Sequence, residues 1–330
     1  MSDSNYGLYL VCIGLSATGA WLVSRYGHRL ELLDKPNERS SHRAATPKGG
    51  GIGILAGFIV SAIFLKVSVF LWVPAVFLSL ISLAGDRYHL SPIIRLLFQF
   101  AASFIFLFGL WNGHPLSSAG YLIIIPISLF IVGTTNFYNF MDGINGIAGL
   151  TGIVGFGLLA VFAHGKEIDS GLEVLSIALS LGCAAFLPCN FPKAKVFMGD
   201  VGSILLGFTF ATIVFMLADS LLEFLCLSLF LFPFYADELT TELIRLKDGE
   251  KLWTPHRRHL YQILANEYQI AHWKVSLGYG FAQLFIGVSI LYFVELGLPT
   301  VLSIFFLYFV VFSVISLSLR KRLTQKSGMY

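Results

Sequence analysis

The sequence predicts an all-α, polytopic membrane helix bundle that forms one integral-membrane domain over residues 1–330. Its composition is 56% apolar and only 12% charged, whereas about 25% of the residues of a soluble domain are charged. Apolar runs of the roughly 20 residues that cross a bilayer recur along the chain. These observations exclude a disordered chain, a nucleic-acid-binding protein and a soluble enzyme with one anchor. A β-barrel would show short alternating segments instead.

We expect eleven membrane spans, with ten as the alternative count. The predicted spans are residues 6–24, 50–65, 67–84, 93–111, 120–138, 145–163, 172–190, 203–218, 221–235, 275–296 and 300–319. No basic residue precedes Tyr6, and no small-residue cleavage pattern follows the first span. We therefore expect this span to be a retained helix and not a signal peptide.

The basic residues predict the orientation of the bundle. The predicted inner segments are the loops 25–49, 85–92, 134–144, 191–202 and 236–274 and the tail 320–330. Of the 22 lysine and arginine residues, all but Lys66 and Lys166 fall in or next to these segments. Cytoplasmic loops carry such an excess. The N-terminus is therefore expected outside and the C-terminus in the cytoplasm.

Polar side chains concentrate near the inner ends of the predicted helices. They are Asp86, Asn136, Asn139, Asp142, Asn145, Asn190, Asp200, His256 and His259. Magnesium is commonly bound by one or two carboxylates, with water and substrate phosphates completing its shell. The sequence therefore predicts a phosphate-handling site at the cytoplasmic face.

Two motifs place an aspartate where a helix ends or begins. Asp86 lies in the segment 85–92 between two apolar runs, and Asp200 opens a helix after Pro192 has ended the previous one. Backbone N–H groups at a helix N-terminus also favour anions. The alternative for either aspartate is a helix cap without a function in catalysis.

A third motif covers residues 136–146. Steps of three residues on a helix place Asn136, Asn139 and Asp142 across one side of a helix end. Polar residues in a span usually face a cavity or a partner and serve function. Gly143 permits close backbone approach. The alternative is hydrogen bonding between helices.

The fourth motif, residues 254–262, lies in the longest inner loop. It contains His256, Arg257, Arg258 and His259. Two histidines three residues apart could bind zinc, but no further Cys or His completes a tetrahedral site. The pairing with arginines favours hydrogen-bond donors to an anion.

Along the chain these four motifs follow one another as residues 85–92, 136–146, 190–203 and 254–262. With the motifs in this order, the chain resembles the polyprenyl-phosphate N-acetylhexosamine-1-phosphate transferase family. The resemblance runs from residues 34–42 and 46–51 to about Gln262. The form of residues 256–262, with Phe234–Asp237 and Thr241 upstream, most resembles the O-antigen branch. The triple-histidine signature of the muramoyl-pentapeptide enzyme is absent, which argues against a peptidoglycan precursor.

The resemblance implies a reaction at the cytoplasmic face of the bacterial inner membrane. A sugar-1-phosphate, from an N-acetylhexosamine or an N-acetylated 6-deoxyhexosamine, passes from a UDP-sugar to undecaprenyl phosphate, and UMP is released. The implied cofactor is Mg²⁺, with Mn²⁺ as the alternative. The substrates and membrane lipid are the expected partners, nucleic acid is not, and a homodimer is left open.

The resemblance also implies roles for individual residues. The metal ligands would be Asp200 and Asp142, and the catalytic residues Asp86, Asp142, His256 and His259. The substrate-binding residues would be Asn136, Asn139, Gly143, Asn145, Asn190, Phe197, Arg257 and Lys48.

Two departures from the family pattern bear on mechanism. Gly85 stands where the family usually has the first of two aspartates, and Asn145 stands where several branches have aspartate. Two alternatives to an active enzyme follow from the sequence. One is a transporter of an anionic sugar or nucleotide, although transporters place charges near the bilayer midplane. The other is an inactive family member.

Overall fold

The structure is a computed structural model that describes residues 3–29, 31–36, 41, 44–88, 90–111, 118–166, 170–251, 254 and 256–327. Side chains are not described for residues 3, 4, 86–88, 118–121, 170, 324, 326 and 327.

The described residues form a helical bundle. Its helices are α1 Asp3–Tyr26, α2 Ile52–Phe64, α3 Val69–Tyr88, α4 Pro92–Leu110, α5 Ser118–Phe140, α6 Ile147–Lys166, α7 Ser170–Asn190, α8 Asp200–Leu217, α9 Leu221–Ser228, α10 Phe232–Lys247, α11 Leu260–Asn266, α12 His272–Phe293 and α13 Leu298–Ser327. Two 3₁₀ turns follow α9 and α12, at Leu229–Leu231 and Val294–Leu296. The strands β1 Leu33–Asp34 and β2 Thr46–Pro47 pair antiparallel within the first predicted inner loop.

Length and hydropathy identify 8 of the described helices as candidate membrane spans, namely α1, α4, α5, α6, α7, α8, α12 and α13. The helix α2 and the residues Val69–Gly85 of α3 are shorter apolar segments. The structure therefore confirms an all-α polytopic membrane protein. The total of eleven spans and the orientation stay predictions.

The predicted span over residues 221–235 is not a single α-helix. This segment consists of α9, a 3₁₀ turn and the start of α10, with Pro233 in the first turn of α10. Proline is favoured there because the first N–H groups of a helix have no partner within it. Two helices, most of α10 and all of α11, also occupy the predicted loop 236–274. Hydropathy missed α10 because its buried face carries Asp237, Glu238, Thr241 and Arg245.

The helix α8 lies at the centre of the bundle and is buried along nearly its whole length. It packs against α5 and α3, and α6 and α7 pack together on another side. A Cβ at Gly207 of α8 would lie 2.8 Å from the Cα of Thr135 on α5. Likewise, a Cβ at Gly51 would lie 2.5 Å from the Cα of Gly202. Small residues at such crossings let helices approach closely in a membrane, and these crossings bring the end of α5 to the start of α8.

Lys166, one of the two basic residues predicted outside, is neutralised by two acidic groups. Its Nζ donates to Asp219 Oδ2 at 2.7 Å and forms an ion pair with Glu223. These groups lie at the end of α8 and on α9, at the end of α8 opposite Asp200.

Candidate active site

The first residue of α8, Asp200, lies at the centre of the candidate site. Gly199 before it has φ +73°, a conformation that favours glycine. The Oδ1 of Asp200 accepts a hydrogen bond of 2.9 Å from Nδ2 of Asn139, and Oδ2 forms an ion pair with Arg95 of α4. The Asn139 amide also donates to Ser203 Oγ at 2.9 Å. Asp200 is thus held by two neighbouring helices.

Asp142 is the second carboxylate of the site. It lies two residues after Phe140, the last residue of α5, and its N–H donates to the carbonyl of Asn139 at 3.2 Å. Burial, and then the negative charge of Asp200, raise the pKa of Asp142 well above its ordinary value. A bound cation would oppose both effects, because it favours the charged carboxylate.

Two asparagines tie the turn after α5 to the turn after α7. Asn190 is buried, and its Oδ1 accepts a 2.7 Å hydrogen bond from the N–H of Gly146. Its Nδ2 donates to the carbonyl of Val196 at 2.8 Å. Asn145 donates from Nδ2 to the carbonyl of Pro192 at 3.3 Å. These bonds fix the two turns that precede Asp200 and follow Asp142.

Asn136 is paired with α4. Its Nδ2 donates to Gln99 Oε1 at 2.6 Å and to the carbonyl of Val132 at 2.8 Å, and Gln99 donates back to Oδ1 at 3.3 Å. This arrangement matches the alternative interpretation, hydrogen bonding between helices.

A polar cavity of about 720 Å³ opens beside these turns, within the range of pockets that hold small molecules. Three predicted substrate-binding residues, Asn145, Phe197 and Arg257, line it, together with Lys193. The remaining wall comes from Ser41, Ala44, Thr46, Ala194, Ala265, Asn266, Glu267, Gln269, Ile270, Ala271 and His272.

The wall of this cavity is joined to the strand β2. The N–H of Phe197 donates to the carbonyl of Pro47 at 2.8 Å, and the N–H of Gly50 donates to the carbonyl of Phe197 at 2.9 Å. Lys48 thereby pairs with Phe197 through the backbone. The segment 46–51 of the first inner loop, one of the two quoted for the resemblance, thus meets the segment between Pro192 and Asp200.

The histidine motif lies along α10. His259 Nδ1 is 3.3 Å from Glu238 Oε2, and His256 Nε2 is 3.3 Å from Glu242 Oε1. Further along the helix, the fully buried Arg245 donates to the carbonyl of Thr254 at 2.8 Å. Residues 238, 242 and 245 are spaced by four and three, so they share one helix face. This face supports the loop that carries the motif.

Burial governs the protonation of the paired histidines. It lowers the pKa of His256, an effect that the Arg245 charge increases and the Glu242 and Glu250 charges oppose. Burial also lowers the pKa of His259 to about 4. Both imidazoles are therefore neutral at pH 7.

Asp237 organises the joint between α10, α11 and α12. Its fully buried carboxylate accepts hydrogen bonds from the N–H groups of Leu260 and Tyr261, at 2.7 and 3.1 Å, and from the hydroxyl of Tyr279 at 2.6 Å. Thr241 Oγ1 donates to it at 3.2 Å. A carboxylate that binds the first N–H groups of α11 sets where that helix begins.

Tyr261 connects this joint to the Asp142 turn. Its hydroxyl donates to the carbonyl of Phe140 at 3.0 Å. A Cβ at Gly143 would lie 2.9 Å from Tyr261 Cζ and nearer still to the hydroxyl. Gly143 is required because the tyrosine ring occupies the space of a side chain.

Comparisons with known proteins identify the family of this chain. The sequence profile of the family described as glycosyl transferase family 4 matches residues 68–218. The decaprenyl-phosphate N-acetylglucosaminephosphotransferase of Mycobacterium leprae is 30% identical over 311 residues, which cover 81% of this chain and 77% of that protein. The chain belongs to glycosyl transferase family 4.

Two further relatives support the assignment to this family. The undecaprenyl-phosphate alpha-N-acetylglucosaminyl 1-phosphate transferase of Thermotoga maritima is 28% identical over 268 residues, or 78% of this chain and 80% of that protein. A probable undecaprenyl-phosphate N-acetylglucosaminyl 1-phosphate transferase of Bacillus subtilis is 29% identical over 214 residues, covering 57% of this chain and 56% of that protein. As a member of family 4, the chain is a transferase, and this finding opposes the transporter interpretation.

The structure brings some predicted residues of this transferase together and separates others. Asp200, Asn139 and Asp142 form one cluster, and Asn145, Phe197 and Arg257 line the adjoining cavity. Asn136, Asn190, His256 and His259 contact protein groups. The side chain of Asp86 lies outside the described residues.

Sequence reasoning missed several residues of the candidate site. Arg95 entered only the count of basic residues, although it pairs with Asp200. Glu238 and Glu242 could have been noticed, because they are four residues apart, and the two histidines of the next segment are three residues apart. The sequence did not show, however, that these glutamates contact those histidines.

Proposed function

We propose that the chain transfers a sugar-1-phosphate from a UDP-sugar to undecaprenyl phosphate, releasing UMP. A phosphate oxygen of the lipid bonds to the sugar-linked phosphorus while the bond from that phosphorus to the bridging oxygen breaks. The donor sugar is an N-acetylhexosamine or an N-acetylated 6-deoxyhexosamine, and the product initiates O-antigen or another envelope polysaccharide. We place the site at the cytoplasmic face of the bacterial inner membrane.

The cluster of Asp200, Asp142 and Asn139 beside a polar cavity carries this proposal. Phosphoryl transfer requires mainly positioning and neutralisation of charge. The cavity is large enough for a nucleotide, and Lys193 and Arg257 supply cations at its wall. The names of the relatives, which specify undecaprenyl phosphate or decaprenyl phosphate, support a polyprenyl-phosphate acceptor.

The carboxylates also fit the expected magnesium ion. Asp142 and Asp200 are hard oxygen donors, close enough that the charge of Asp200 helps to raise the pKa of Asp142, and one or two carboxylates plus phosphate oxygens are typical of magnesium sites. We propose that these two residues hold Mg²⁺, with Mn²⁺ as the alternative. When bound, the ion would neutralise charge on the transferring phosphates.

The residues near Gly85 bear on the missing aspartate. A Cβ at Gly85 would lie 3.3 Å from Arg95 Nη2, so this position faces the guanidinium that pairs with Asp200. The second pKa of a phosphate monoester is near 6, and a nearby cation favours the dianion further. Attack therefore does not require a base at residue 85, which supports an active enzyme over an inactive family member.

The decisive experiment measures UMP release by purified full-length protein with undecaprenyl phosphate, Mg²⁺ and a panel of UDP-N-acetyl sugars. The variants are Asp200→Asn and Asp142→Asn, which keep the side-chain shape but remove the charge. Asp219→Asn is the matched control, because Asp219 lies beyond the opposite end of α8 and pairs with Lys166.

We expect one donor to support turnover in the wild type and in Asp219→Asn. Loss of a hard anionic metal ligand should lower turnover about 100-fold or more in Asp200→Asn and Asp142→Asn. Wild-type-like turnover in both variants would place the reaction elsewhere, and no UMP release with any donor would contradict the proposed function.

A further inference from the structure

Glu238 and His259 form a buried pair that the reaction described above does not use. Glu238 is 2% exposed and His259 is 3% exposed. The facing atoms, Glu238 Oε2 and His259 Nδ1, lie 3.3 Å apart, and neither has a hydrogen-bond partner among the described residues. Buried polar atoms are rarely left unpaired, because such an atom has lost its hydrogen bonds to water without gaining others. A proton shared between these two atoms would satisfy both.

Several charged and titratable groups surround the pair from neighbouring elements. They are Asp237, Glu242 and Arg245 on α10, His256 in the following loop, Tyr261 on α11, Tyr279 on α12 and Arg320 on α13. Asp237 already accepts four hydrogen bonds, and Arg245 is bound to Glu242 and Glu250. These two strong charges are therefore largely satisfied by other groups.

The proton of this pair belongs on the carboxyl group. Burial, followed by the charges of Asp237 and Glu242, raises the pKa of Glu238 to about 9. Burial lowers the pKa of His259 to about 4. Between these values, a neutral carboxyl can donate to the unprotonated Nδ1 of a neutral imidazole.

His259 contacts Glu238 on one side and the ring of Tyr261 on the other, and Tyr261 contacts the turn that carries Asp142. The imidazole stacks on Tyr261, with ring centroids 5.7 Å apart and an angle of 13° between the planes. The Tyr261 hydroxyl donates to the carbonyl of Phe140, and its ring lies against Gly143. Asp142 lies between these two contacts in the chain. Its position therefore depends on where the stacked rings lie.

We propose that Glu238 is a positioning residue, whose neutral carboxyl donates to His259 Nδ1 and holds the His259–Tyr261 stack beneath the turn that carries Asp142. This inference rests on the proposed function, because Asp142 is the carboxylate whose position matters for turnover. Glu238 itself does not contact substrate.

Two substitutions separate this role from simple packing. Glu238→Gln keeps an N–H donor that does not titrate, and Glu238→Leu keeps an apolar body without a donor. Glu223→Gln is the matched control, because Glu223 is a paired glutamate at the opposite end of α8. Turnover and KM for the UDP-sugar are measured from pH 6 to about 10, a range that brackets the glutamate pKa of about 9.

We expect wild type and Glu223→Gln to lose turnover as pH rises through the pKa of Glu238, because ionisation removes the donor and adds a buried charge. Glu238→Gln should retain turnover there. Glu238→Leu should lower kcat about tenfold or more with little change in KM, since a misplaced catalytic group affects the reacting geometry. An alkaline loss in Glu238→Gln identical to that of wild type would overturn the proposal.

A spectroscopic measurement tests the hydrogen bond between Glu238 and His259 independently of enzyme turnover. In full-length protein labelled with ¹⁵N-histidine, with His259→Gln to assign the signal, His259 should carry its proton on Nε2 and none on Nδ1 at pH 7. A protonated Nδ1 would refute the inference even in an active enzyme. If wild type releases no UMP with any donor, the proposed function fails, while this spectrum still decides the role of Glu238 at His259.

Discussion

Gly143→Ala tests the contact on which the geometry of the Asp142 turn depends. An added methyl group would lie 2.9 Å from Tyr261 Cζ and 3.0 Å from Cε2. Ordinary carbon–carbon contacts are about 3.5–4.0 Å, so the two groups must separate by roughly 0.5 Å or more. The tyrosine cannot simply move aside, because it is fully buried and stacked on His259.

The expected magnitude follows from these contacts. Overpacking of a well-packed site costs about 1–3 kcal/mol. Loss of the 3.0 Å hydrogen bond from the Tyr261 hydroxyl to Phe140 adds about 1 kcal/mol. Displacement of a catalytic group by about 1 Å can cost about 100-fold in rate. From these magnitudes, we expect Gly143→Ala to lower turnover by about ten- to 100-fold and to lower the thermal midpoint.

The assay combines UMP release with thermal unfolding of the purified protein. Gly278→Ala on α12 is the matched control, because a Cβ there meets no atom within 4 Å. Adding Tyr261→Phe to Gly143→Ala removes the hydroxyl nearest the new methyl group and should recover part of the lost stability. If Gly143→Ala behaved like Gly278→Ala in both measurements, the proposed bracing of the turn by Tyr261 would be refuted.

Three further predictions concern other parts of the chain. Asp237→Ala should reduce the free energy of unfolding by about 3–6 kcal/mol, because it leaves several buried donors without their acceptor. The control is Asp219→Ala, and equal thermal midpoints for the two variants would contradict this prediction. Gly85→Asp should lower the Mg²⁺ concentration for half-maximal turnover, since the new carboxylate can draw Arg95 from Asp200, whereas Gly85→Ala should not. A reporter fused after Lys326 should be active only in its cytoplasm-sensing form, and a periplasmic signal would make the predicted span count wrong by one.

Hydropathy predicted the helices whose side chains are apolar over a length that crosses a bilayer. Long apolar segments such as Ile147–Lys166 and Leu298–Leu323 stand out in any hydropathy analysis. The helix α10 did not stand out, because the polar residues of its buried face bind the loop that carries the histidine motif. Its buried polar residues are stabilised by contacts with the loop that follows the helix, which hydropathy does not register.

The candidate site was predictable in its residue types but not in its pairings. Asp142, Asn139 and Asp200 were recognised because polar groups at apolar helix ends are costly unless they serve a purpose. His259 was expected to donate to an anion, and the structure places it buried against Glu238. Arg95 is 105 positions from Asp200 in the chain, and nothing local links the two.

By itself, the sequence determined that this protein lies in a bilayer, that its long apolar segments are helical and which helix ends carry the polar motifs. Those properties follow from local composition and from the cost of exposing backbone or charge to lipid. Only the tertiary structure decided which polar groups meet. The close crossing of α5 and α8 at Gly207 brings Asn139 to Asp200, and the ring of Tyr261 fits against Gly143. Such contacts join residues far apart in the chain, so they depend on how the helices pack and not on any local pattern.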